Sequence, residues 1–134
     1  MPQLYFLIII LFGLTCSDPT SSDKAIVRIL ISGPIAEGEY VIFWNGTNKK
    51  DEYVPAGTYW VRLYTRDFTE QIEITALQGG TGVLNDSTVW NPMPYAWSEL
   101  KQNSPNPFRI QDGTNIPFTL ADDMTIELTV RDKK

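Results

Sequence analysis

The sequence predicts an all-β sandwich, and three observations carry that expectation. Apolar and polar residues alternate with a period of two through most of residues 25–76. The nine glycines and nine prolines are spread along the chain as turn signals. A second pair of alternating segments occupies residues 114–130. Neither half repeats its apolar residues at helical spacing. Antiparallel layers therefore offer the way to bury these one-sided faces.

Composition bounds the rest. At 134 residues the chain has room for one ordinary domain, and 43% apolar with 12% aromatic residues supplies a core and argues against wholesale disorder. The formal charge is −5, and the basic residues cluster only at Lys49-Lys50 and Lys133-Lys134. Phosphate neutralisation needs a basic surface, so nucleic acid is excluded as a partner. The absence of histidine removes the commonest general base and transition-metal ligand together. Cys16 stands alone, so no internal disulfide staples the fold.

Leu4 to Leu14 is almost pure hydrocarbon, yet it is only about half the ~20 residues a spanning helix needs. That length suits a signal-peptide core, and residues 1–16 are set apart from the fold. A hydrophobic run ending in Leu14-Thr15-Cys16 resembles the lipobox of bacterial lipoproteins. The resemblance implies lipidation at Cys16, a membrane partner reached through that lipid, and a polar tether over residues 17–24. It departs from the pattern at Gly13, where the family prefers Leu, and at Thr15, where Gly or Ala is usual. An ordinary secretory signal is the alternative. Both lead to export: to the outer membrane or cell surface as a lipoprotein, otherwise to the periplasm or outside.

Residues 25–78 form the first β unit. Ala25 to Ile31 is a β-branched run with Val27, Ile29 and Ile31 on one face, closed by a turn at Ser32-Gly33-Pro34. A polar bend at Glu37-Gly38-Glu39 leads to a strand over Tyr40–Trp44, which Asn45-Gly46 breaks. After the charged loop Thr47–Glu52, Pro55-Ala56-Gly57 presets a turn. Tyr59, Val61 and Leu63 then share a face. Arg66-Asp67 is a hairpin tip, and Ile72, Ile74 and Ala76 point inward from the next strand.

Trp44-Asn45-Gly46 followed by Val54-Pro55-Ala56-Gly57-Thr58-Tyr59 resembles the Trp-Asp-Gly and Val-Pro-Ala-Gly-Xaa-Tyr pattern of the FlgD-like Ig domain. That family is named for the flagellar hook-capping protein and includes type IX secretion sorting domains. The resemblance implies an Ig-like antiparallel sandwich of Greek-key type. In it Trp44 plugs one end, Asn45-Gly46 turns the chain and Tyr59 faces the core. These roles are structural.

Residues 79–104 change character. Gly79-Gly80-Thr81-Gly82 is a flexible link, and Trp90, Tyr95 and Trp97 are separated by Pro92 and Pro94. Proline disfavours a central strand, so an ordered loop or edge segment is expected, with a helical turn over Ser98–Gln102. Exposed rings stack on sugars and prolines, which makes Trp90, Tyr95 and Trp97 candidate contacts for a glycan or protein partner. The alternative is that they cover one end of the sandwich or bridge two subunits.

Residues 105–134 supply the last strands. Ile116, Phe118 and Leu120 share a face, an acidic turn follows at Asp122-Asp123, and Met124, Ile126, Leu128 and Val130 point inward. Gln102-Asn103-Ser104-Pro105-Asn106-Pro107-Phe108 and the two strands after it resemble the opening of the same family domain. In the family that opening precedes the Trp-Asp-Gly half, whereas here it follows. A circularly permuted single sandwich, with 114–131 packing on 25–76, is the expected arrangement. The alternative is two incomplete copies, with strand 124–131 a free edge that completes a neighbouring molecule in a homo-oligomer.

The chemistry of catalysis is not legible. There is no Ser/His/Asp or Cys/His set, no phosphate-cradling loop before a helix, and no cofactor or metal signature. Asp51-Glu52 and Asp122-Asp123 fall in turns, without the alternating oxygen ligands of a calcium loop. The expected function is that of a non-catalytic, exported cell-envelope lipoprotein with a structural, adhesion or protein-interaction role. A carbohydrate-binding module, a strand-complementing subunit and a secretion-sorting domain are the alternatives.

Overall fold

The computed structural model describes residues 26–133. Cys16 and the 17–24 tether lie outside them. The described residues form two packed, mainly antiparallel sheets, a β-sandwich. The strands are β1 (Ile26–Ile35), β2 (Gly38–Trp44), β3 (Gly57–Thr65), β4 (Thr69–Leu77), β5 (Val89–Pro92), β6 (Glu99–Leu100), β7 (Phe108–Arg109), β8 (Thr114–Leu120) and β9 (Met124–Asp132). One sheet runs β1-β9-β3-β4-β7, closed at its last edge by a short parallel pairing of β7 with β4; the other runs β5-β2-β8-β6.

Period-two alternation sets the faces. Tyr40, Ile42 and Trp44 from β2, with Ile116, Phe118 and Leu120 from β8, meet Tyr59, Val61, Leu63, Ile74, Ile126, Leu128 and Val130 across the core. The C-terminal strands are completed within their own chain: β8 pairs along all of β2, and β9 along β1 and β3. The inward faces of β2, β3, β8 and β9 are therefore buried within one small chain.

Four local expectations are corrected. Strand 124–131 is not an edge, because β9 lies between β1 and β3 and its backbone groups are paired on both sides. Ser32-Gly33-Pro34 does not turn the chain: β1 runs through it to Ile35, and an edge strand tolerates the proline's missing N–H. Ile29 points outward, since register shifts between Ile26 and Arg28 and between Ile29 and Ile31 break the alternation. Ser98–Gln102 makes no helical turn; β6 pairs there with Phe118 and Thr119 of β8.

The sandwich has two ends. Ile26, Trp44, Gly57, Thr114 and Asp132 mark the proximal end, from which the chain leads back toward Cys16. The hairpin Thr65–Thr69, the β1–β2 connection and the Asp122-Asp123 turn mark the distal end.

Candidate functional site

The family-like signature residues resolve into a packed plug at the proximal end. Trp44 is 1% exposed, and its ring meets Tyr59 and Phe108 edge-on at 6.1 and 5.7 Å. Its Nε1–H donates to the Thr47 carbonyl at 2.8 Å. The Asn45 carboxamide oxygen accepts from the Thr47 N–H and hydroxyl, so the side chain itself makes the turn. Gly46 has φ +78°, and a Cβ there would lie 2.4 Å from the Ile110 carbonyl oxygen. Only glycine fits that close approach.

Arg28 clamps the following loop, donating to Thr47 Oγ1, the Asn48 carbonyl and Asp51 Oδ1. The Pro55 carbonyl accepts the Tyr59 hydroxyl, and Gly57 opens β3 opposite Ala76. Burial, reinforced by Asp132, pushes the Tyr59 phenol above its ordinary value. The second signature stretch is equally internal. Ser104–Pro105 and Asn106–Pro107 are cis, the Pro105 carbonyl accepts from Asn103 and Thr114, Asn106 Oδ1 accepts the Thr75 N–H, and Phe108 is buried. Every one of these side chains or carbonyls is engaged in packing or turn formation.

The aromatic segment is different. Residues 79–98 run as a strap along the second sheet, pinned at intervals by polar side chains. Near its start, Asp112 Oδ1 accepts the N–H groups of Thr81 and Gly82 and the Thr81 hydroxyl. The Thr81 N–H bond is foremost in holding this carboxyl below its ordinary value. Asn115, buried on the outer face of β8, donates to the Asn85 carbonyl and accepts the Ser87 N–H. Asp86 caps Thr88 through its N–H and hydroxyl, and the hydroxyl bond is the main reason its own carboxyl titrates low. At the distal end Thr119 donates its hydroxyl to the Trp97 carbonyl, Ser98 Oγ accepts the Ala121 N–H, and the Glu37 carboxylate accepts the Tyr95 N–H.

The strap displays its rings but does not bring all three together. Trp90 stands opposite Tyr40 on the core side of β5, meets it edge-on at 5.0 Å, and remains 55% exposed. Burial, with some help from Asp123, raises the Tyr40 phenol above its ordinary value. Tyr95 and Trp97 contact each other at 6.1 Å with an interplanar angle of 80°. Their backbone crosses the opposite, outer face at Thr119, where Trp97 is 58% exposed and its Nε1–H donates to Glu99. Tyr95 and Trp97 therefore form one corner and Trp90 a separate patch.

The strap's outward backbone edge is closed to a docking strand. Met93 N–H donates to the Glu37 carbonyl, so alternation turns the polar groups of Val89 and Asn91 toward β2 and those of Trp90 and Pro92 outward. Pro92 has no N–H, and that of Thr88 is held by Asp86. The outward edge of β5 thus offers one N–H, that of Trp90, among carbonyls, too few donors for a regular ladder.

The residues missed by sequence reasoning are the polar anchors Glu37, Asp112, Asn115 and Thr119. Their one legible signal is polar side chains in or beside alternating strands, facing away from the apolar set. A groove of about 570 Å³ also opens beside the plug, lined by Val27, Lys49, Lys50, Pro55, Tyr59 and Asp132 among others. Among the described residues, no group of three or more Cys, Asp or Glu side chains is placed to hold a metal ion. No family model, curated protein or solved structure matches the chain.

Proposed function

We propose that this protein is a non-catalytic, exported envelope lipoprotein whose sandwich presents the aromatic strap to a partner. The observation that carries the reading is Trp97. It is a large, 58% exposed ring on a segment whose backbone is fixed by Thr119, Ser98 and Glu37. Exposed aromatics on a pre-ordered backbone are the residue type that anchors recognition, because little side-chain freedom is lost on contact. This corner lies at the distal end, whereas the chain leads to Cys16 from the proximal end.

The finer fold reading belongs to the same proposal: an Ig-like Greek-key sandwich of the FlgD-like kind, with its two halves in permuted order. Its support is that β8 and β9 complete the 26–77 unit of their own chain, as a permuted domain requires. A carbohydrate-binding role is the second reading, favoured by the exposure of Trp90 and Trp97.

Two variants test the proposal. Cys16→Ala is expected to move the protein from the membrane fraction to the soluble fraction, and retention in the membrane would refute lipid tethering. Trp97→Ala is expected to lower retention of the protein on immobilised cell-envelope material at least tenfold with an unchanged unfolding temperature. Unaltered retention would remove the strap as the recognition surface.

A further inference from the structure

We infer that the distal corner made by Tyr95 and Trp97 docks a basic peptide segment of a partner protein. An Arg or Lys side chain would sit against the rings and be held by the surrounding carboxylates. The inference rests on the strap being the recognition surface and names the chemistry of its partner.

Register places the charges. Glu39 of β2 and Glu99 of β6 are both opposite Thr119 of β8, one on each side. All three share the outer face, since Tyr40, Phe118 and Leu100, one position along, are in the core. Strands lie about 4.8 Å apart, so the two glutamates bracket a gap of roughly 10 Å. The backbone of Trp97 crosses that gap, its carbonyl bonded by Thr119 and its indole N–H bonded to Glu99. Glu37 holds the Tyr95 N–H, and Asp123 in turn accepts the Glu37 N–H. Glu99 thus touches the Trp97 ring and Glu37 the Tyr95 backbone, with Asp123 behind Glu37 and Glu39 across Thr119.

The imbalance is pronounced. Segments 36–39, 93–99 and 121–123 carry Glu37, Glu39, Glu99, Asp122 and Asp123 and no Lys or Arg. The nearest base in sequence to this corner is Lys101, whose N–H continues the β6 ladder to the Pro117 carbonyl. Among the described residues the ion pairs join Arg28 to Asp51, Arg66 to Asp67 and Lys133 to Glu73, and none uses these five acids. Their charge is left for a partner to complement.

The ring geometry selects a cation over a sugar. Rings at 80° make a corner with one face and one edge, not the flat platform on which a pyranose stacks. A guanidinium or ammonium needs a single indole face, and Trp is the strongest ring for it. Met93, exposed next along the strap and bonded through its N–H to Glu37, adds an apolar ledge for the neighbouring side chains of a peptide. A lone small cation would leave that ledge unused. The closed edge of β5 means that the peptide is read through side chains and not added as a strand.

The test is calorimetric titration of the full chain in detergent solution with an acetylated, amidated Arg-Gly tetrarepeat. The same peptide with Glu for Arg and a neutral N-acetylglucosamine tetramer serve as comparisons. The Arg peptide alone is expected to bind, with affinity falling as salt is raised. Trp97→Ala and the double variant Glu39→Gln/Glu99→Gln are each expected to weaken it about tenfold. Trp97 and Glu99 are exposed and Glu39 is half-buried, and thermal unfolding of each variant checks that the fold is kept.

Failure to bind the Arg peptide, or binding that both variants leave intact, overturns the inference. Sugar binding lost in Trp97→Ala, with no peptide binding, overturns the basic partner while keeping the strap as a recognition surface. Silence from both probes, together with envelope retention indifferent to Trp97→Ala, overturns both readings.

Discussion

Replacing Trp44 by alanine tests whether the Trp-Asn-Gly stretch is a plug or a site. The ring is 1% exposed, stacks edge-on against Tyr59 and Phe108, and bonds the Thr47 carbonyl. Truncating a fully buried Trp costs about 3–5 kcal/mol, made up of lost transfer energy and the cavity left behind. The indole hydrogen bond falls within that range, because it is removed with the ring. A domain of this size has roughly 5–15 kcal/mol in total, so the variant gives up a large share of its stability.

At roughly 4 °C per kcal/mol, the unfolding midpoint should fall by about 12–20 °C. Differential scanning calorimetry reads this directly, with chemical denaturation as a second measure. Trp44→Phe keeps the edge-on contacts and loses the N–H, so it should fall between wild type and Trp44→Ala. A midpoint shift under about 4 °C for the alanine variant would refute the plug. Lost partner binding at unchanged stability would do so too, and would make Trp44 a contact residue.

Two further outcomes follow from the same geometry. Gly113 has φ +78° and a Cβ there would lie 2.3 Å from Phe43 Cζ and 2.6 Å from the Trp44 carbonyl, so Gly113→Ala should destabilise by about 1–3 kcal/mol in urea unfolding; a neutral result would mean that the β7–β8 turn is not conformationally demanding. Tyr40 and Tyr59 have phenols raised above the ordinary 10.0 by burial, so the folded state holds their protons more tightly than the unfolded chain. That contribution is intact below pH 10 and is lost as pH rises through the folded values, so a melting point independent of pH above 10 would count against it.

Much of the sandwich was legible because alternation is local. Tyr59, Val61 and Leu63, and likewise Ile126, Leu128 and Val130, declare their inward face within a few residues, and the structure buries them all. The misread pieces each depend on information carried elsewhere in the chain. The outward turn of Ile29 comes from bulges set by pairing with β9, and periodicity within β1 cannot reveal them. Glu99-Leu100 becomes strand only because Phe118 and Thr119 offer an open ladder. The alternative of a spare edge at 124–131 stayed open in the sequence because the strand's two partners, β1 and β3, lie far back in the chain.

The candidate site shows the same division. Trp90, Tyr95 and Trp97 stood out as residue types, yet spacing could not place Trp90 on one face and the other pair on the opposite one. Nor could it show that Glu39 and Glu99, distant in sequence, meet across Thr119.

The treatment of the sheet edges links the fold to the proposed role. β1 is interrupted by two register shifts and Pro34, and β5 is blunted by Pro92 and Asp86. Along β4, the Glu73 carbonyl is taken by Gln102 and the Thr75 N–H by Asn106. Each device removes backbone groups that another chain would otherwise pair with. A subunit built to complete its neighbours by strand exchange needs at least one long, regular edge, and a tethered receptor at high local concentration is better served by having none. What remains outward at the distal end is side-chain chemistry, the Tyr95–Trp97 corner and its carboxylates. The proposed docking of a basic segment there needs no backbone pairing and would turn on charge and ring contact.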